Sequence, residues 1–145
     1  MATVDWTEHA LQTLTEAGYR RGGARTAVVE MLGRQTCAVS ARAIDDALRG
    51  EGRTVGRASV YRTLETLAEL KLVQRLDLGH DDKRYEAQRP SGEHHHHLVC
   101  DACGKLIPFI DDELERAIRR VARREDFAVD DHDVTLHGAC AACAK

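Results

Sequence analysis

The chain has 145 residues, 43% hydrophobic and 31% charged, with a formal net charge of −3. That length gives one ordinary domain or two small ones with a buried core, and a net negative charge does not advertise a nucleic-acid binder. No run of about 18 apolar residues is present, which excludes a membrane-spanning helix, and Met1-Ala2-Thr3-Val4-Asp5-Trp6 lacks the basic-then-apolar pattern of a secretion signal, so the expected location is the cytoplasm.

Residues 5–17 place Trp6, Ala10, Leu11 and Leu14 at helical spacing, with Gly18 as the C-cap. Tyr19-Arg20-Arg21-Gly22-Gly23 is a basic, flexible link. A second helix over 24–34 turns Ala27, Val28, Met31 and Leu32 inward. Cys37 stands apart from the other cysteines and reads as a buried small hydrophobe. Ser40 caps a third helix from Ala41 to Arg49, whose apolar stripe is Ile44, Ala47 and Leu48. After a turn at 50–53, Arg57 opens a fourth helix through Leu70, with Val60, Leu64, Leu67 and Ala68 inward. The opposite face of its first turns carries Arg57, Ser59, Tyr61, Arg62 and Thr63. Residues 72–78 and 83–87 are strands joined by a loop of hairpin composition, 79–82.

Three short helices followed by a β-hairpin is the order of a winged helix-turn-helix, with the first helix an addition. In such a unit the helix at 57–70 enters the major groove, and its polar early turns meet base edges and phosphates. A plain helical core with a solvated polar face has the same pattern, so this half alone leaves DNA binding open. Residues 1–84 carry 13 Lys+Arg against 12 Asp+Glu, and residues 85–145 carry 8 against 12. Any DNA affinity must therefore come from locally placed arginines, and the acidic second half suits cations.

Gln88-Arg89-Pro90-Ser91-Gly92 is the one linker-like stretch, and it divides the chain into 1–87, a hinge at 88–92, and 93–145. The second part opens with His94, His95, His96 and His97, followed at once by Cys100-x-x-Cys103; Cys140-x-x-Cys143 lies near the end. Two such pairs in one short domain point to zinc, because four thiolates close a tetrahedral structural site; two disulfides would suit an oxidising compartment instead. If Leu98-Val99 continues the histidine run as a strand, His94 and His96 share one face and His95 and His97 the other. One strand then offers two ligands to each of two further metal sites; a solvated histidine stretch is the alternative. Strands follow at 105–110, 127–129 and 133–136, with a helix from Asp111 to Glu125 between the first two. That β-β-α-β order makes a thin layer that needs a partner to cover it, and a dimer is expected.

The chain resembles the ferric uptake regulator (Fur) superfamily of metal-dependent transcription factors. Three features match in order: Ser59-Val60-Tyr61-Arg62-Thr63-Leu64, then His94 through Lys105, then His137-Gly138-Ala139-Cys140 with Cys143. The resemblance spans about residues 10–143 and implies an α+β homodimer: an N-terminal winged helix-turn-helix followed by a small C-terminal α/β dimerisation domain. It implies structural zinc on Cys100, Cys103, Cys140 and Cys143, a regulatory hinge site of Glu86, His95 and His97, and a further site of His94, His96, Glu115 and His132. Three departures stand out. Ala38, beside Cys37, occupies the place of a regulatory histidine, which leaves Asp77, His80 or Cys37 as substitutes. No cysteine lies between Cys37 and Cys100, which counts against the usual zinc-sensing pattern. Gly22-Gly23-Ala24-Arg25 stands where the family has Thr-Pro-Gln-Arg.

The expectation that follows is a metal-responsive regulator, a repressor of metal-uptake, homeostasis or oxidative-stress genes, acting on double-stranded DNA with an AT-rich inverted repeat. Arg20, Arg57, Ser59, Tyr61 and Arg62 are its candidate DNA contacts. Fe(II) is the first choice of regulatory metal, with Zn(II), Mn(II) or a peroxide-sensing use of iron as alternatives. A metal-storage or metallochaperone protein would account for the histidines but not for the helical front half. A zinc hydrolase would need an HExxH or nucleophile motif, which the sequence lacks.

Overall fold

The structure is a computed structural model, and it describes residues 5–35, 37–79, 82–89 and 95–144. His94 and His80 fall outside the described residues, as does most of the linker at 90–92. The chain forms two compact units, Met1–Glu93 and His94–Lys145. Among the described residues, no helix is long and apolar enough to cross a membrane.

The first unit runs α1 (Trp6–Glu16), α2 (Gly23–Gly33), β1 (Val39–Ser40), α3 (Ala41–Gly50), α4 (Arg57–Glu69), β2 (Val73–Asp77) and β3 (Lys83–Ala87). Asp5 caps α1 by accepting from the Thr7 N–H, and Ser40 caps α3 by accepting from the Ala43 N–H. Trp6 is fully buried and its indole Nε1 donates to the Leu72 carbonyl at 3.0 Å, so α1 is tied to the far end of α4. Helix α4 stops where Lys71 takes a left-handed φ of 59° and the Leu72 N–H bonds the Leu67 carbonyl at 2.9 Å. Val28, Leu32, Ile44, Leu48, Val60, Leu64 and Leu67 from α2, α3 and α4 fill one core. The three strands order as β1-β3-β2, all antiparallel. Strand β1 has only two residues, too few for a pattern in the sequence to mark it.

The second unit runs β4 (His96–Cys100), β5 (Leu106–Phe109), α5 (Asp112–Arg124) and β6 (Thr135–Gly138), with β4 in the middle of the sheet. β5 pairs with it antiparallel, and β6, returning after α5, pairs with it parallel. Two expectations need correction. Residues 127–129 form no strand: the Phe127 N–H bonds the Ala122 carbonyl at 2.8 Å, closing α5 behind Asp126 at a φ of 52°. The last strand lies at 135–138 rather than 133–136, because Cys100 pairs with Gly138. Ile107, Leu98 and Leu136 stand side by side across the three strands on one face, and all three are exposed. Helix α5 has no fully buried residue.

Candidate metal centres and nucleic-acid face

The four cysteines come together at one end of the second unit. Cys100 is the last residue of β4, and its chain reverses at once: the Gly104 N–H bonds the Cys100 carbonyl at 2.8 Å, and the Cys100 N–H bonds the Lys105 carbonyl at 2.9 Å. Gly104 sits at a φ of 76°, which a side chain would resist. A second knuckle repeats the turn, with the Cys143 N–H on the Cys140 carbonyl at 2.9 Å. The parallel register of Cys100 with Gly138 sets the two knuckles next to each other. All four sulfurs lie within 4.8 Å of one another, and Sγ of Cys103 is 3.8 Å from Sγ of Cys140.

Those distances suit a tetrahedral zinc ion. Zn–S bonds of about 2.3 Å place sulfurs at adjacent corners about 3.8 Å apart. The thiols also share charge unevenly. Backbone N–H groups of Cys140 and Cys103 pull Cys100 down to about 6, whereas hydrogen bonding with Cys140, Cys100 and Cys103 pushes Cys143 up to about 12. Four thiolates this close cannot all hold negative charge without a cation, and a divalent metal that prefers sulfur resolves the conflict. Asp101 of the first knuckle and His137 of β6 meet at 3.2 Å, a link from the first knuckle to the strand that leads into the second, which nothing in the sequence marked, since 36 positions separate them.

A second cluster lies in the same unit. Glu115 on α5 bridges two imidazoles, with Oε1 2.6 Å from His96 Nε2 and Oε2 2.7 Å from His132 Nε2. The Val134 N–H points at His96 Nδ1 from 3.1 Å, which fixes that nitrogen as an acceptor. A neutral His96 therefore carries its proton on Nε2, the atom that faces Glu115 and that a metal would take. His96, Glu115 and His132 offer donor atoms within 4.8 Å of one another, a set suited to a borderline divalent cation. His94 lies outside the described residues.

The remaining candidate ligands are divided between the units. His95 and His97 sit edge to face, ring centres 4.9 Å apart. In the first unit Glu86 lies on β3, and Cys37 precedes β1, which pairs with β3. Cys37 is half-buried, and its Sγ lies within 4.8 Å of a Glu86 carboxylate oxygen, so it is not the buried small hydrophobe expected from the sequence. Burial pushes its thiol up, a hydrogen bond from the Ala38 backbone pulls it down, and the Glu86 charge pushes it up again. Asp77 pairs with Lys83 at the other end of the hairpin, three residues along β3 from Glu86, or about 10 Å.

The expected DNA contacts occupy the first turns of α4. Arg57, Tyr61 and Arg62 are exposed and Ser59 is half-buried, with Arg62 Nη2 donating to Ser59 Oγ at 3.1 Å. Thr63 belongs to the core instead, at 4% exposure. Arg57 Nε donates to Asp45 of α3 at 3.4 Å, and Arg20 is exposed in the link before α2.

Residues 16–137 match the Ferric uptake regulator family. The Ferric uptake regulation protein of Legionella pneumophila is 34% identical over 133 residues, which cover 91% of this chain and 96% of that protein. The Zinc uptake regulation protein of Mycobacterium tuberculosis is 35% identical over 131 residues, covering 90% and 98%. Among solved structures, the Helicobacter pylori ferric uptake regulator Fur, a protein with three functional metal binding sites, superposes with a TM-score of 0.84 at 27% identity, covering 100% of this chain and 98% of that one. The chain belongs to the ferric uptake regulator family and is a metal-responsive DNA-binding transcriptional regulator.

Proposed function

We propose that the chain is a cytoplasmic homodimeric repressor that binds an inverted repeat on double-stranded DNA when Fe(II) occupies a regulatory site of Glu86, His95 and His97. The observation that carries this reading is the pairing of an exposed polar turn on α4 with a second unit built around metal-donor clusters. Cys100, Cys103, Cys140 and Cys143 would hold zinc, which supplies the positive charge that lets four thiolates coexist. His96, Glu115 and His132, with His94, would hold the further cation.

The proposed regulatory ligands come from both units: Glu86 ends the winged helix, and His95 and His97 begin the second unit. Binding that needs both sets of ligands favours the arrangements in which the units are held together over those in which they swing. In a two-fold dimer that fixes the spacing of two α4 helices, and hence of two half-sites. The exposed row of Ile107, Leu98 and Leu136 supports the dimer, since a second copy would cover it. In each winged helix, Tyr61 and Arg62 would meet bases and phosphates, Ser59 would steady Arg62, and Arg57 and Arg20 would reach the backbone.

A second reading is favoured by Cys37. Its sulfur beside Glu86 suits it as a substitute for the regulatory histidine replaced by Ala38, and a thiolate ligand shifts preference toward Zn(II). Selection of binding sequences from a random duplex library separates the readings. Parallel runs contain Fe(II) without oxygen, Mn(II), Zn(II), or a chelator too weak to strip four cysteines. Enrichment of an inverted repeat with Fe(II) alone supports the iron reading, and enrichment with Zn(II) alone supports the second. No enrichment in any run refutes sequence-specific binding.

A further inference from the structure

Among the described residues of the first unit, one carboxylate, that of Asp45, is buried. Asp45 lies on the inward stripe of α3 among Ala41, Ile44 and Leu48, at 1% exposure. An ionised carboxylate there is costly unless cations answer it. Two do, one at each carboxylate oxygen. Arg57 Nε, on the first turn of α4, is 3.4 Å from Oδ2, and Arg49 Nε, one turn along α3, is 3.5 Å from Oδ1. Both arginine side chains remain 61% exposed. Oδ1 has no partner in hydrogen-bond geometry, so Arg49 is held by charge rather than by a directed bond.

The attachment leaves the outer ends available. Each guanidinium approaches Asp45 through Nε, and among the described residues the Nη atoms of Arg49 and Arg57 make no hydrogen bond. An arginine can bind phosphate through its outer nitrogens while Nε is engaged elsewhere, because its donors form a planar fork. Anchoring both stems to one buried charge also removes much of the rotamer freedom that a long side chain loses on binding. The same role does not fit Arg53 or Arg34, whose Nη groups are already used by Glu30 and Glu51 at 2.8 Å.

We propose that Asp45 is a positioning residue for DNA binding, which holds Arg49, at the end of α3, and Arg57, at the start of α4, as a fixed pair of phosphate-binding guanidiniums. The inference rests on the DNA-binding reading above. It adds Arg49 as a DNA contact and gives the buried aspartate its purpose. Both contacts are to the backbone, so they strengthen binding to every sequence alike.

The test uses the full-length, zinc-loaded protein and the duplex enriched by selection, alongside an unrelated duplex. Arg49→Ala and Arg57→Ala should each weaken binding to both duplexes by similar factors, about tenfold near physiological salt, and lower the slope of log K against log salt by about 0.9. Asp45→Asn keeps the shape of the side chain and removes its charge. It should weaken DNA binding several-fold in the parent protein and leave it unchanged when Arg49 and Arg57 are both alanine. A merely structural Asp45 would move binding by the same factor in both backgrounds, and that result overturns the proposal. So does an Arg49→Ala protein with an unaltered salt slope. Thermal melting and zinc content of each variant register any folding defect, and the comparison of backgrounds cancels a defect common to both. If selection enriches no duplex and the parent protein binds no unrelated one, the DNA-binding reading fails first and takes this one with it. If the parent binds, and Arg62→Ala weakens it while Arg49→Ala does not, only the present proposal falls.

Discussion

Sγ of Cys103 lies 3.8 Å from Sγ of Cys140, although 37 positions separate the two residues. The contact follows from sheet register, since β6 runs parallel to β4 and delivers its knuckle beside the one that ends β4. The second unit has only a thin core, with Val99 and Cys100 its sole buried hydrophobic residues among those described. Zinc bound at this point would therefore be folding energy, on the order of 10 kcal/mol for structural sites. Cys100→Ser should lose about one zinc per chain and the hydrogen-exchange protection of β4 and β6. A serine variant with native protection would show that the sheet holds without the metal.

Cys37 gives a test of which metal the regulator senses. With Cys37→Ser, affinity for the regulatory metal should fall by more than the roughly tenfold cost of losing an outer-shell partner. Cys37→His should restore affinity and move preference away from Zn(II), since imidazole is less soft than thiolate. Calorimetric titration of the zinc-loaded protein with Zn(II) and with Mn(II) reads both effects. Unchanged isotherms for Cys37→Ser would remove this residue from the ligand set.

The row Ile107, Leu98 and Leu136 predicts how the dimer breaks. Each buried leucine contributes about 1.5–3 kcal/mol, and each appears twice in a two-fold interface. Leu136→Lys should shift the protein to monomer in sedimentation and abolish operator binding, while the first unit keeps its thermal transition. A stable Leu136→Lys dimer would place the interface on another surface.

Arg62 and Tyr61 should separate from the backbone contacts in their sequence dependence. Arg62→Ala should cost about 1–3 kcal/mol on the enriched operator and relax preference at one position in each half-site, if Arg62 reads a base. Equal losses on operator and unrelated DNA would make it a phosphate contact. Ser59→Ala should reproduce a weaker form of the Arg62 defect, because Ser59 Oγ accepts from its guanidinium.

What the sequence determined by itself is chiefly local. Helical spacing of apolar residues located α1 through α4, Ser40 announced its cap, and alternation along the histidine run put His96 and His97 on opposite faces of one strand. The two Cys-x-x-Cys pairs carried their own chemistry, because the turn that aims two sulfurs at one ion lies within four residues. Only the tertiary structure decided what depends on register and on distant neighbours. Phe127–Val129 has strand composition, but the Phe127 N–H is used in closing α5, and composition cannot foresee that. Cys37 looked like core filling until the pairing of β1 with β3 brought it to Glu86. Asp45 is a polar residue that nothing in its helical pattern singles out, and only the packing of α3 against α4 buries it beside two arginines. Local pattern marks most of the inward positions, although Thr63 and Asp45 turn inward and Ala47 outward against it; the partners they meet are set by how separate elements pair and pack.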